Sequence, residues 1–162
     1  MPATQTPRRA APPTLSAVTP WITTLALTHP AGLPQALAAQ AGIGLARARK
    51  LVSQLCDTGW LLREGPANRP LYRPGPMRQV VQRYSLDSLE EDRPWRLDFA
   101  PCFDLPPAVV EMTQHAFTEL LNNAIDHSRG SQVTVSLRQT PTQVQLLVSD
   151  KDRKSTRLNS SH

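Results

Sequence analysis

Proline placement constrains this chain more than any other single feature. Proline fixes φ at about −65° and lacks a backbone N–H, so it is poorly tolerated inside helices and in central strands. Of the sixteen prolines, all but Pro34 and Pro141 cluster at 2–30 and 66–107. The first cluster, set among Ala and Thr, predicts a disordered N-terminus over residues 1–14. The second predicts a long connector.

From Leu15 to Thr58 the apolar spacing is helical. Val18, Ile22, Leu25 and Ala26 predict a helix from Leu15 to Thr28, with Pro20 near its start and His29-Pro30-Ala31-Gly32 as its stop. Leu33–Ala41 is a short Ala-rich helix, and Gly42-Ile43-Gly44 a turn. In Leu45–Thr58 an apolar stripe of Ala48, Leu51, Val52 and Leu55 predicts a third helix, which Gly59 ends. Trp60–Arg63 and Leu71–Arg73 read as two strands of a hairpin, closed by Pro74-Gly75. Residues 76–103 are expected to form the connector, with a helix over Met77–Tyr84. A long helix from Pro107 to Ser128 comes next, with Asp104 as a possible cap and Val109, Met112, Ala116, Leu120 and Ala124 on one face. Val133–Leu137 and Val144–Val148 alternate as strands, joined by a turn at Thr140-Pro141-Thr142. The fold class expected is α+β.

Charge also divides the chain, within the expected connector. Residues 1–84 hold ten Arg and Lys against two acidic residues, a net +8, whereas residues 85–150 hold four Arg against ten acids, a net −6. Two modules explain that asymmetry better than one, and the basic half is the candidate for a polyanion partner. Cys56 and Cys102 lack metal spacing and fit a reduced, cytoplasmic protein. No apolar run has the length of a membrane span, and the residues after Arg8 and Arg9 lack the apolar stretch of a signal peptide.

The last residues stand apart. Asp152 to His162 carry no hydrophobic period and resemble the in-frame translation of a common sequencing adapter. Residues 151–162 are therefore expected to be an artefact, to be set aside from fold and function.

The chemistry concentrates in Thr118-Glu119-Leu120-Leu121-Asn122-Asn123-Ala124-Ile125-Asp126-His127-Ser128. On a helix, Glu119, Asn123 and Asp126 or His127 share one face, offering a carboxylate, an amide oxygen and an imidazole in a row. The bland reading is a solvated polar face. The stretch also resembles the N box of the GHKL (histidine kinase/gyrase-type) ATP-binding superfamily, above all the Glu-x-x-x-Asn-Ala-x-x-His form of serine kinases that antagonise sigma factors. That resemblance implies that Asn123 holds Mg²⁺ bridging the phosphates of ATP and that Glu119 is the catalytic general base. Asp126 and His127 then lie near the phosphates or support the residues that bind them, and Asp150, ending a strand as in the family's first glycine box, binds adenine. The glycines that come next in the family are replaced by Lys151-Asp152-Arg153.

Residues 15–75 resemble a winged helix-turn-helix in pattern. That resemblance implies DNA contacts from Arg47, Arg49 and Lys50 on the third helix and from Arg63 and Arg69 in the wing. An exposed basic helix used for protein contacts is the bland alternative. His29, His115, Trp60, Trp95 and Cys56 read as structural. The two resemblances together imply a bacterial regulator with a winged helix (15–75), a connector (76–103) and the N-terminal half of a histidine kinase-like ATPase domain (104–150). The alternative is an anti-sigma-like serine/threonine kinase whose winged helix docks protein partners. Half of a nucleotide pocket implies no tight ATP binding and no catalysis by this chain. The DNA site, the protein partner and the oligomeric state are not encoded in any legible way.

Overall fold

The computed structural model describes residues 14–90, 92–127, 130–150 and 156–161. The expected disorder of 1–14 falls, apart from Thr14, outside the described residues, as do Ser128 and the first part of the tail. The chain is an α+β protein with two antiparallel sheets. Its elements are helices α1 (Leu15–Thr28), α2 (Leu33–Ala41) and α3 (Leu45–Asp57), strands β1 (Leu61–Glu64), β2 (Leu71–Pro74) and β3 (Arg78–Ser85), helix α4 (Pro107–His127), and strands β4 (Gln132–Gln139), β5 (Gln143–Asp150) and β6 (Thr156–Ser161).

The first three helices and the β1–β2 hairpin enclose one apolar core. Val18, Ile22 and Ala26 of α1, Leu33 and Leu37 of α2, Ala48, Val52 and Leu55 of α3, and Leu61 meet there. Pro20 sits inside α1 and denies Ser16 its usual amide partner. The Thr19 hydroxyl approaches the Ser16 carbonyl instead, at 3.5 Å. Gly42 ends α2 in the left-handed region at φ 67°, and the Ile43 N–H reaches back to the Ala38 carbonyl at 3.1 Å. The Tyr72 N–H donates to the Pro30 carbonyl at 2.9 Å, so the α1–α2 turn is held against β2.

The second core lies between a four-stranded sheet, ordered β3-β4-β5-β6, and α4. Strict alternation along β4 and β5 turns Val133, Val135, Leu137, Val144, Leu146 and Val148 inward. Phe117 from α4 packs edge-on against Phe99 (centroids 4.9 Å apart) and tilted against Trp95 (5.4 Å). Gln139 continues the inward face at its polar end. Its amide accepts from the Asp104 N–H at 3.1 Å and donates to the Pro76 carbonyl at 3.4 Å, so its burial is satisfied.

Three expectations need correction. Met77–Tyr84 does not form a helix: Arg78–Ser85 is the strand β3, paired with β4 from Arg78↔Gln139 to Ser85↔Gln132. Val80, Val81 and Tyr84 favour a strand, and the decisive partner lies 47 to 61 residues away, beyond the reach of local periodicity. The stretch 76–103 is accordingly built into the second core, to which Val80, Trp95, Phe99 and Cys102 contribute buried side chains. The apolar face of α4 is also rotated from the one expected. Thr113, Phe117 and Leu121 are buried at its centre, Val109, Ala116, Leu120 and Ala124 of the expected face pack partly buried beside them, and Met112 is 42% exposed. Finally, Thr156–Ser161 in the tail does form a strand, with Leu158 opposite Leu146. A free sheet edge offers a row of backbone donors and acceptors, and pairing with it requires little of the pairing side chains.

The two cores are joined closely. The Gln79 N–H donates to the buried Thr23 hydroxyl of α1 at 3.1 Å. The Arg78 guanidinium donates to the Gly75 carbonyl (2.9 Å) and the Cys102 carbonyl (3.2 Å), and its burial pulls its pKa below the ordinary arginine value. Arg138 of β4 lies over the Trp60 ring, 5.3 Å from its centroid.

Candidate functional site

Two groups of residues carry the chemistry expected from the sequence. The first lies on α4. Its buried stripe of Thr113, Phe117 and Leu121 fixes the helix's rotation, and the opposite face is turned to solvent. Glu119, Asn123, Asp126 and His127 are all at least partly exposed. Glu119, Asn123 and Asp126 fall within one arc of that outer face, whereas His127 lies toward its flank. Glu119 is not solitary. Its carboxylate meets His115 Nε2 at 3.1 Å, one helical turn back, an exposed pair that contributes little to stability. The sequence alone suggests a merely structural His115, although the four-residue spacing to Glu119 is a signal of the pair. The neighbouring Asn122 buries its Oδ1 without a hydrogen-bond partner among the described residues.

Asp150, the last residue of β5, pairs with Val133 near the start of β4. The chain enters β4 directly after α4 and the turn through Gly130. The C-terminal end of α4, with Asn123, Asp126 and His127, and the end of β5, with Asp150, therefore lie at one end of the sheet.

The donor types suit a magnesium–nucleotide complex, since Mg²⁺ commonly takes one or two protein oxygens together with phosphates and water. The enclosure does not suit it. Among the described residues no group of three or more His, Cys, Asp or Glu is arranged to hold a metal ion. A cavity along α4 lies a turn or more toward its N-terminus, lined by Glu111, Met112, His115 and Thr118 rather than by Asn123.

The second group is basic. Arg47, Arg49 and Lys50 are exposed on α3, and none of them makes an ion pair among the described residues. They do not form one face. With Ala48 and Val52 turned to the core, Arg47 and Arg49 fall on opposite flanks and Lys50 at the outermost point. Arg49 lines a cleft of about 1200 Å³ between α2, α3 and the hairpin, together with Arg63 and Arg69. Arg63 is steadied by a 3.4 Å bond to the Ala67 carbonyl, and Arg73 is paired with Glu64 across the hairpin. Cys56 also lines the cleft. Burial, aided by the Asp57 carboxylate and opposed by Arg63, pushes its thiol above the ordinary value, so it stays protonated near neutrality.

No family model, curated protein or solved structure matches the chain. Among the described residues no helix is long and apolar enough to cross a membrane.

Proposed function

We propose that this chain is part of a bacterial regulatory protein in which a DNA-binding winged helix precedes a GHKL-type ATP-binding domain. The reading is supported above all by one juxtaposition: the outward Glu119/Asn123/Asp126 face ends at the same end of an antiparallel sheet as Asp150. That is where an N box and the aspartate of a first glycine box would have to meet around one nucleotide. In the complete protein Asn123 would hold Mg²⁺, and Glu119 would activate water or a hydroxyl once free of His115. For the basic half, the support is a three-helix-plus-hairpin order whose third helix exposes cations without ion pairs among the described residues.

The experiment is fluorescence anisotropy of labelled duplex DNA with the 162-residue chain over a salt series, alongside ATP titration. We expect duplex binding that weakens steeply with salt, as counterion release requires. Lys50→Ala and Arg47→Ala should each flatten the salt slope by about one unit if each meets a phosphate. ATP is expected not to bind at micromolar concentration. No salt-sensitive duplex binding would sink the DNA half of the proposal.

The exposed His127 gives the second reading its support. It completes the Glu-x-x-x-Asn-Ala-x-x-His form of the sigma-factor antagonists, which would make the complete protein a serine/threonine kinase with a partner-docking winged helix. Phosphotransfer from ATP to a partner protein, without DNA retention at moderate salt, would select it.

A further inference from the structure

Three arginines from three separate elements line the cleft beside α3. Arg49 comes from the helix, Arg63 from β1 and Arg69 from the loop of the hairpin. Asp57 is the one carboxylate among the lining residues, so the site carries a formal excess of two positive charges. Glu64, the nearest acid on the hairpin, is already engaged by Arg73. Gathering like charges costs electrostatic energy that a dianion of matching charge would offset. Each guanidinium offers five N–H donors, and the single bond from Arg63 to Ala67 leaves most of its donors for a ligand.

The wall of the cleft has a different character. Leu71, still 43% exposed, and Pro70 present apolar surface beside the cations. A bare phosphate or a duplex backbone gains nothing from that surface. At about 1200 Å³ the space is ample for a small organic molecule. We propose that the cleft is an effector site for a phosphate monoester with an apolar body, its dianionic head held by Arg49, Arg63 and Arg69 and its body laid against Leu71 and Pro70. If the DNA reading above holds, the same arginines serve the duplex, and effector and DNA exclude one another. Binding of the effector itself does not rest on that reading.

The test is calorimetric titration of the 162-residue chain with phenyl phosphate and, separately, with inorganic phosphate. Phenyl phosphate should bind saturably and at least about tenfold more tightly than inorganic phosphate, the difference coming from the buried ring. Arg49→Gln and Arg69→Gln should each weaken it about tenfold, as expected for loss of a charge-assisted hydrogen bond. Both side chains are exposed, so an unchanged melting temperature checks that these variants fold. Arg83→Gln, the same loss of charge on β3 away from the cleft, should leave the affinity unchanged. Absence of saturable phenyl phosphate binding, equal affinity for inorganic phosphate, or an equal loss in Arg83→Gln would overturn the site. Phenyl phosphate bound by a chain that ignores duplex DNA keeps the effector site and removes the DNA reading. Duplex bound without displacing phenyl phosphate overturns the sharing of arginines.

Discussion

At the closest approach of backbone to backbone, Gly75 stands against Gly59. A Cβ on Gly75 would lie 2.2 Å from the Gly59 carbonyl oxygen, and Gly59 itself has φ 87°. The same two segments exchange bonds, from the Gly75 N–H to the Trp60 carbonyl and from the Met77 N–H to the Gly59 carbonyl, each 3.0 Å. Gly75→Ala must therefore push the segments apart, and we expect a loss of about 1–3 kcal/mol in urea denaturation, in the range of overpacking substitutions. A second residue-scale expectation concerns Tyr84, whose hydroxyl donates to Asp98 at 2.6 Å and ties β3 to the turn through Trp95–Phe99. Burial first, and then the bond to Asp98, raises the Tyr84 pKa; burial likewise raises that of Cys102. Both groups are neutral when protonated, so a raised folded-state pKa favours the protonated, folded form. Their contribution is present at neutral pH and is lost as pH rises past the ordinary values of 9.0 for the thiol and 10.0 for the phenol. Tyr84→Phe should remove the phenol's share of that alkaline loss and cost about 1–2 kcal/mol at neutral pH. An alkaline limb identical to the parent chain's would contradict this.

At the scale of elements, legibility tracks the range of the interactions. α1, α2, α3 and the β1–β2 hairpin are readable because their apolar periods, the Gly42 stop and the proline breaks are local signals. β3 is not, because the eight residues from Arg78 to Ser85 become a strand only through β4. The rotation of α4 escapes sequence reading for a related reason: Phe117 sits at its centre to meet Phe99 and Trp95, aromatic partners from a region that reads as connector. Glu119, Asn123 and Asp126 are legible as one helical face, but the open surroundings of Asn123 cannot be read from spacing. The cleft is still less legible, since Arg49, Arg63 and Arg69 line one cleft only after the hairpin folds beside α3. β6 tests how much of the sheet comes from backbone pairing. Leu146 of β5 is fully buried, whereas its partner Leu158 is only partly so. Leu146→Ala should cost about 2–5 kcal/mol as a core truncation, and Leu158→Ala under about 1 kcal/mol. Equal losses in thermal or urea melts would show that β6 is anchored by its side chain.

For the molecule as a whole, the two cores are bound through Gln79–Thr23, Arg78 and the Arg138–Trp60 contact. Under the proposed function, that closeness gives a route by which nucleotide at the end of β5 in a complete protein would bias the DNA-binding helix, because β3 of the second core is bonded to α1 of the first. Equal DNA affinity with and without nucleotide in the complete protein would refute such coupling. The ATP-binding assignment depends on the codons beyond Asp150 in the natural gene, where residues 151–162 of this chain resemble an adapter rather than a glycine box. Long-read sequencing of the locus through codon 150 decides it. We expect an in-frame Asp-x-Gly-x-Gly segment beginning at Asp150, with a glycine-rich lid further downstream. A natural gene that instead runs through Lys151 to His162 and stops would contradict the ATP-binding assignment and leave the basic first half as the functional module.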